Sequence, residues 1–222
     1  SSLSEKIAAG EVIDRPAAIV KELIENSIDA NSTKIEINIE NGGKDLILVK
    51  DNGDGIDSSD VGLAFTRHAT SKINRLEDLD KINTMGFRGE ALPSIGAVSY
   101  ISIKTSTSED NATEYSMHGS KEGKIKTIAK SKGTTISVRR LFENLPARKK
   151  FLKSSESEQI GITKTLKNYF LSYPEIEFRY SNLKKTIFNL QSRRLNDRIG
   201  DVFGSKYKED LIKVDNIKEG YK

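Results

Sequence analysis

The sequence predicts an α/β (α+β) fold in which helices pack on antiparallel strands, and three observations carry that reading. Ala17, Val20, Leu23, Ile24 and Ile28 recur at helical spacing behind Pro16. Residues 34–40 (KIEINIE) alternate strictly, and a turn signal after them leads into a second apolar run. Four more strand-like runs lie between Tyr100 and Arg140, ahead of a long helical segment.

In chain order, Asp14-Arg15-Pro16 is a helix-start signal, an acid with proline in the first turn, so a helix is expected over about 15–29. Residues 34–40 place Ile35, Ile37 and Ile39 on one strand face, Asn41-Gly42-Gly43 marks a turn, and residues 46–50 return. After Asp51 the chain is punctuated by glycine, and a helix is expected over 58–69. Residues 70–91 are polar with little periodicity; a loop of about 20 residues inside a compact domain is usually functional or mobile. A short helix over 90–97 follows. The runs 100–105, 112–118, 124–129 and 134–140 read as an antiparallel meander. A helix over about 156–171 leads to a hairpin candidate, 175–180 with 186–190. Arg193-Arg194 reads as a hinge, so the expected domains are 1–194 and a second unit begun by 195–222, with the sequence as a whole a fragment.

Composition narrows the chemistry. The 222 residues are 36% hydrophobic and 31% charged, enough at this length for a buried core under a heavily solvated surface. No run of 18 apolar residues and no signal-peptide pattern occurs, so a soluble intracellular protein is expected, with no membrane partner. The absence of cysteine excludes disulfides, thiolate zinc sites and cysteine nucleophiles. Only His68 and His118 are present, 50 positions apart, which argues against a multi-histidine metal site. The net charge of +4 hides an asymmetry. Up to Val138 there are 17 Lys and Arg against 21 Asp and Glu; from Arg139 onward there are 19 against 11. Residues 139–153 (RRLFENLPARKKFLK) hold six bases and one acid, which suits a polyanion but is equally the pattern of a solvated face.

Several residues could carry chemistry. Glu22, Asn26 and Asp29 share one side of the first helix. A carboxylate and an amide one turn apart can act as a general base and an oxygen ligand for a hard cation, although E-x-x-x-N alone is also an ordinary solvated face. Asp51-Asn52-Gly53-Asp54-Gly55 closes a strand. Its glycines permit positive φ and close approach of a flat or anionic ligand, and Asp51 could accept from an exocyclic amine. A simple Asp-Gly turn has the same composition. A calcium loop is excluded, because position twelve from Asp51 is Gly62 rather than glutamate. Gly86-Phe87-Arg88-Gly89-Glu90-Ala91-Leu92 runs into a helix start, where backbone amides bind anions, and Thr70-Ser71-Lys72 adds two hydroxyls and a cation. Neither a P-loop nor G-x-G-x-x-G occurs. Lys132-Gly133-Thr134-Thr135 alone is a turn opening a strand.

Taken in order, these pieces resemble the nucleotide-binding motifs of the GHKL ATPases. Three stretches narrow the resemblance to the MutL mismatch-repair family: KIAAGEVIDRPAAIVKELIENSIDA at 6–30, GFRGEAL at 86–92 and LFENLPARKKFL at 141–152. The resemblance implies a two-layer sandwich, one mixed and mostly antiparallel sheet covered by helices, with an ATPase domain over 1–194 and the start of a transducer-like α/β domain over 195–222. It implies that Glu22 is the general base activating water and that Asn26 is the protein ligand to Mg²⁺. Asp51 would read the adenine amine, Gly53 and Gly55 would floor the base, and Thr134 would contribute nearby. Thr70, Ser71, Lys72, Gly86, Phe87, Arg88, Gly89, Glu90, Ala91 and Leu92 match the lid over the triphosphate.

The same resemblance implies a slow, Mg²⁺-dependent ATPase in which ATP drives pairing of two protomers into a clamp around DNA. Lys150, Lys153 and Lys167, with Arg148 and Lys149 more ambiguous, would contact phosphates without regard to sequence. The partners implied are DNA, a MutS-type mismatch sensor, a MutL-type homodimer or heterodimer partner and a downstream nuclease or helicase, in the cytoplasm of a prokaryote or the nucleus of a eukaryote. Members use a lysine from the following domain at the γ-phosphate and an N-terminal arm in dimerisation; neither has a counterpart here, so binding with weak hydrolysis is expected. A topoisomerase-type ATPase subunit and a non-hydrolysing nucleotide-sensing scaffold are the alternatives.

Overall fold

The computed structural model describes residues 13–66, 90–109, 112–118, 123, 125–129, 131–183 and 185–209. Helix α1 (Pro16–Asp29) starts as expected, with proline in its first turn. Asp14 does not cap it; the carboxylate pairs with Arg15 instead. Strands β1 (Lys34–Glu40) and β2 (Leu46–Asp51) form the expected hairpin, joined by a 3₁₀ turn at Asn41–Gly43. Helix α2 (Ala91–Val98) precedes β3 (Tyr100–Ser106), β4 (Ala112–His118), β5 (Lys126–Ile128) and β6 (Gly133–Arg139). Then come α3 (Pro146–Phe151), α4 (Ser155–Ser172), β7 (Glu177–Asn182), β8 (Lys185–Leu190), α5 (Leu195–Phe203) and a short α6 (Lys206–Glu209).

All eight strands form one mixed sheet in the order β5-β4-β3-β6-β2-β1-β7-β8, antiparallel except between β1 and β7. Ile35, Ile37 and Ile39 are buried on one face against Ile19, Val20, Leu23 and Ile24 of α1 and Ile162, Leu166 and Phe170 of α4. Glu36, Asn38 and Glu40 alternate with them on the other face, half-buried and polar. Helices on one side and a polar sheet face on the other make the two-layer sandwich. Among the described residues no helix is long and apolar enough to cross a membrane.

Two expectations need correction, and one further element had no expectation. The four runs between 100 and 140 are not a simple meander. β3, β4 and β5 are, but β6 turns back and inserts between β3 and β2. Ile136 and Val138 are buried on β6, which suits a central strand under the helical layer, whereas β5 is a short, largely exposed edge. The helix expected over 58–69 is absent from its described part, which holds turns and a 3₁₀ segment at Leu63–Phe65. Asp57 bonds the Ser59 amide and hydroxyl, competing with helical pairing, and Gly62 interrupts the run. Finally, the basic stretch contains a helix, α3, started by Pro146 and too short to show a periodicity.

Candidate functional site

The C-terminal end of β2 is where distant parts of the chain converge. Asp51 is only 7% exposed, and its carboxylate is tied to three segments. Oδ1 accepts from the Gly53 amide at 2.9 Å and from the Thr134 amide at 3.1 Å. Oδ2 lies 3.0 Å from the Ser27 hydroxyl, which is also 3.1 Å from the Leu23 carbonyl. That hydroxyl has one proton, so it serves one acceptor at a time. Burying a carboxylate is tolerated only when it is hydrogen-bonded, and two backbone amides on one oxygen also fix the direction of the other.

Glycine makes this convergence possible, by letting the chain approach itself. Gly55 has φ +75°, and a Cβ there would strike the Ser106 carbonyl at the end of β3. Gly133 has φ +112°, and a Cβ would strike the Asp51 carbonyl. Gly53 lacks a positive φ, yet a Cβ on it would come within 2.6 Å of the Ala30 carbonyl. The space that these three glycines open is therefore filled by backbone, which draws the β2 loop onto α1, β3 and β6. Thr134 extends the network: its hydroxyl is 3.0 Å from that of Thr105, which accepts the Ile56 amide at 2.8 Å. Asn52 stitches the loop to the start of β1 through the Thr33 and Lys34 amides. At the rim, Asp54 bonds Asn31 at 2.7 Å and Lys132 at 3.1 Å, and these hold its carboxyl below the ordinary carboxylate range.

Glu22 and Asn26 lie one turn apart on α1, on the same helix that presents Ser27 to Asp51. The Glu22 side chain is 30% exposed, with the Lys21 ammonium 3.5 Å from its Oε1. Glu90 is the residue before α2, Ala91 its first residue, and Leu92 is buried in the core. Thr70, Ser71, Lys72, Gly86, Phe87, Arg88 and Gly89 lie outside the described residues. The structure thus gathers Asp51, Gly53, Gly55 and Thr134 with Gly133 and adds three residues that the sequence did not single out. Ser27, Thr105 and Asn31 have no sequence signal until the strand register is known. Gly133 stood within the Lys132–Thr134 turn.

The basic candidates are dispersed. Lys149, Lys150 and Lys153 are exposed around α3. Arg148 instead donates to the Ile13 carbonyl at 3.2 Å and lies over the Phe142 ring, bracing the segment that enters α1. Lys167 lies over Phe188 and Phe203, at 5.9 and 4.9 Å from the ring centroids, between β8 and α5. A separate trough of about 470 Å³ on the polar sheet face is lined by Tyr100, Ser102, Ser116, His118, Ser137 and Arg139, away from Asp51.

Comparison with known proteins identifies the family. The family described as histidine kinase-, DNA gyrase B- and HSP90-like ATPase matches residues 15–144. The structure of the Aquifex aeolicus MutL ATPase domain complexed with ADP superposes with a TM-score of 0.69 and 34% identity, covering 86% of this chain and 70% of that one. The chain belongs to the MutL family. Among curated MutL relatives, the DNA mismatch repair protein MutL of Listeria welshimeri is 51% identical over 214 residues, 96% of this chain and 36% of its own length. That of Clostridium acetobutylicum is 48% identical over 211 residues, 94% of this chain and 34% of its own length. The chain therefore spans about a third of the MutL relatives it matches.

Proposed function

We propose that this chain binds ATP with Mg²⁺ and hydrolyses it slowly as the switch of a MutL-type mismatch-repair protein. The observation that carries the reading is Asp51. It is a buried carboxylate with one oxygen pinned by two amides, so that the other is aimed as an acceptor for an exocyclic amine, in a family whose Aquifex aeolicus ATPase domain has a solved complex with ADP. Glu22 would take the proton from the attacking water, a role open to a partly exposed carboxylate on a rigid helix. Among the described residues no cluster of three or more His, Asp or Glu could cage a metal. An amide such as Asn26 suits Mg²⁺, which binds through substrate phosphates and waters and neutralises charge as the phosphoryl group transfers. Glu90, Ala91 and Leu92, with the residues before them, would supply amides to the phosphates at the start of α2.

In this reading residues 1–194 form the ATPase domain and 195–222 open the next. ATP-driven pairing of protomers would enclose DNA, with Lys150 and Lys153 near its phosphates and MutS-type and nuclease or helicase partners acting before and after. Binding of a non-hydrolysable ATP analogue with Mg²⁺ to the parent and to Asp51→Asn tests the pocket; equal affinity refutes it. Glu22→Ala should bind the analogue and lose turnover. Equal phosphate release by mutant and parent would favour a non-hydrolysing scaffold.

A further inference from the structure

Beside Glu22 lies a half-buried network of Lys21, Glu25 and Tyr169 that takes no part in the proposed hydrolysis. Glu25, one turn further along α1, has a side chain only 11% exposed. Its Oε1 accepts from the Tyr169 hydroxyl of α4 at 2.7 Å, and its Oε2 accepts from Lys21 Nζ at 2.8 Å. Burial, and then the bond to Glu25, push the Tyr169 hydroxyl far above its ordinary pKa, so it remains a donor throughout the accessible pH range. Lys21 thus faces two carboxylates, at 2.8 Å for Glu25 and 3.5 Å for Glu22, and sits closer to the one fixed from its far side.

We propose that Glu25, anchored by Tyr169, is a positioning residue that draws the Lys21 ammonium towards itself, leaving its pair with Glu22 at a loose 3.5 Å and the Glu22 carboxylate open to the attacking water. The inference rests on the reading of Glu22 as the base. Glu22 and Glu25 compete for one cation. An ammonium beside two carboxylates distributes itself by distance and desolvation. Glu25 is the more buried carboxylate and is oriented by a second donor, so it wins. Removing its charge leaves Glu22 as the neighbouring carboxylate within reach. A close Lys21–Glu22 pair would then occupy the lone pair that must receive the water proton. A purely structural role, tying α1 to α4, would weaken the protein alike whether or not Lys21 is present.

A double-mutant cycle separates the two. Single-turnover ATP hydrolysis, analogue affinity and thermal midpoint are measured for the parent, Glu25→Gln, Tyr169→Phe, Lys21→Met and the doubles with Lys21→Met. Glu25→Gln should slow hydrolysis about tenfold, part of the 10²–10⁴ that general-base catalysis supplies, with analogue affinity within about twofold. In the Lys21→Met background the same substitution should cost less than about twofold. Tyr169→Phe, which keeps the charge and removes the anchor, should give a smaller loss of about threefold that also vanishes with Lys21→Met. Equal losses in both backgrounds, or affinity falling in step with rate, overturn the proposal. Hydrolysis that survives Glu22→Ala overturns the base reading itself. Hydrolysis abolished by Glu22→Ala but untouched by Glu25→Gln and Tyr169→Phe overturns only this inference.

Discussion

Arg198 offers a sharp stability test, because it is a fully buried guanidinium whose described hydrogen bonds all go to backbone carbonyls. It is 0% exposed. Nη1 donates to the Phe170 carbonyl at 3.0 Å, and Nη2 lies 2.8, 2.9 and 2.7 Å from the carbonyls of Pro174, Ile176 and Gln191. Nη2 has two hydrogens for three acceptors, so three N–H groups serve four carbonyls. Burial lowers the Arg198 pKa, but a guanidinium remains charged in a protein. The perturbation is Arg198→Met, which keeps much of the side-chain volume and removes every donor. Hydrogen bonds to a charged group contribute about 1.5–3 kcal/mol each, and relief of guanidinium desolvation offsets part of that. The net loss should be about 3–5 kcal/mol, near the upper end for single substitutions. Urea unfolding should show the unfolding free energy lowered by that amount, read as an earlier midpoint at unchanged slope, and for a domain of this size the thermal midpoint should fall by about 10 °C. Arg198→Lys, with fewer carbonyls in reach, should lose roughly half as much. A loss below about 1 kcal/mol for Arg198→Met would refute the argument that these carbonyls depend on it.

Other outcomes follow from the site. Asp51→Asn can keep its oxygen on the Gly53 and Thr134 amides, but its amide nitrogen then opposes the amine it should accept. Analogue affinity should fall by about 3 kcal/mol, roughly 100-fold, with little change in melting. Gly133→Ala combines a strained φ of +112° with a clash on the Asp51 carbonyl, so both stability and analogue binding should fall, the former by about 2 kcal/mol or more; a neutral result would contradict the close approach described. Asp54 has a carboxyl lowered first by Asn31 and then by Lys132, so its contribution is complete above its ordinary value of 3.8 and is lost as pH falls through the lower folded value. The stability difference between parent and Asp54→Asn should therefore be present at pH 7 and shrink below about pH 4; a constant difference would dismiss the linkage. Charge reversal at Lys150 and Lys153 should weaken salt-sensitive DNA retention without altering analogue affinity, whereas reversal at Lys167 should act through loss of its packing on Phe188 and Phe203, read as a lower melting temperature.

The order of elements was legible in the sequence wherever one residue pattern ran long enough to show its period. Helix α1, the β1–β2 hairpin, α4 and β7–β8 all lie within a residue or two of their expected bounds. Local pattern failed where side chains compete with the helix, as at Asp57 and Ser59, and where an element is too short for a period, as in α3. Within the site, Asp51, Gly53, Gly55 and Thr134 were legible only through the order of motifs that the resemblance supplies, since an Asp-Gly turn and a turn opening a strand are each ordinary alone. Their partners were not. Ser27 and Thr105 are an ordinary helical serine and an ordinary strand threonine until pairing places them beside Asp51 and Thr134.

The sequence by itself therefore determined most of the elements, since propensity and hydrophobic period act over neighbouring residues, and its motifs, through their resemblance to known proteins, pointed to the family. Tertiary structure decided the rest. It placed β6 between β3 and β2, turned the glycines into contacts of backbone on backbone, moved Lys167 onto two rings and joined Glu25 to Tyr169 across 144 positions. Each depends on which strand pairs with which and on what burial then demands of a polar group. Those are properties of the packed chain that no local window of sequence contains.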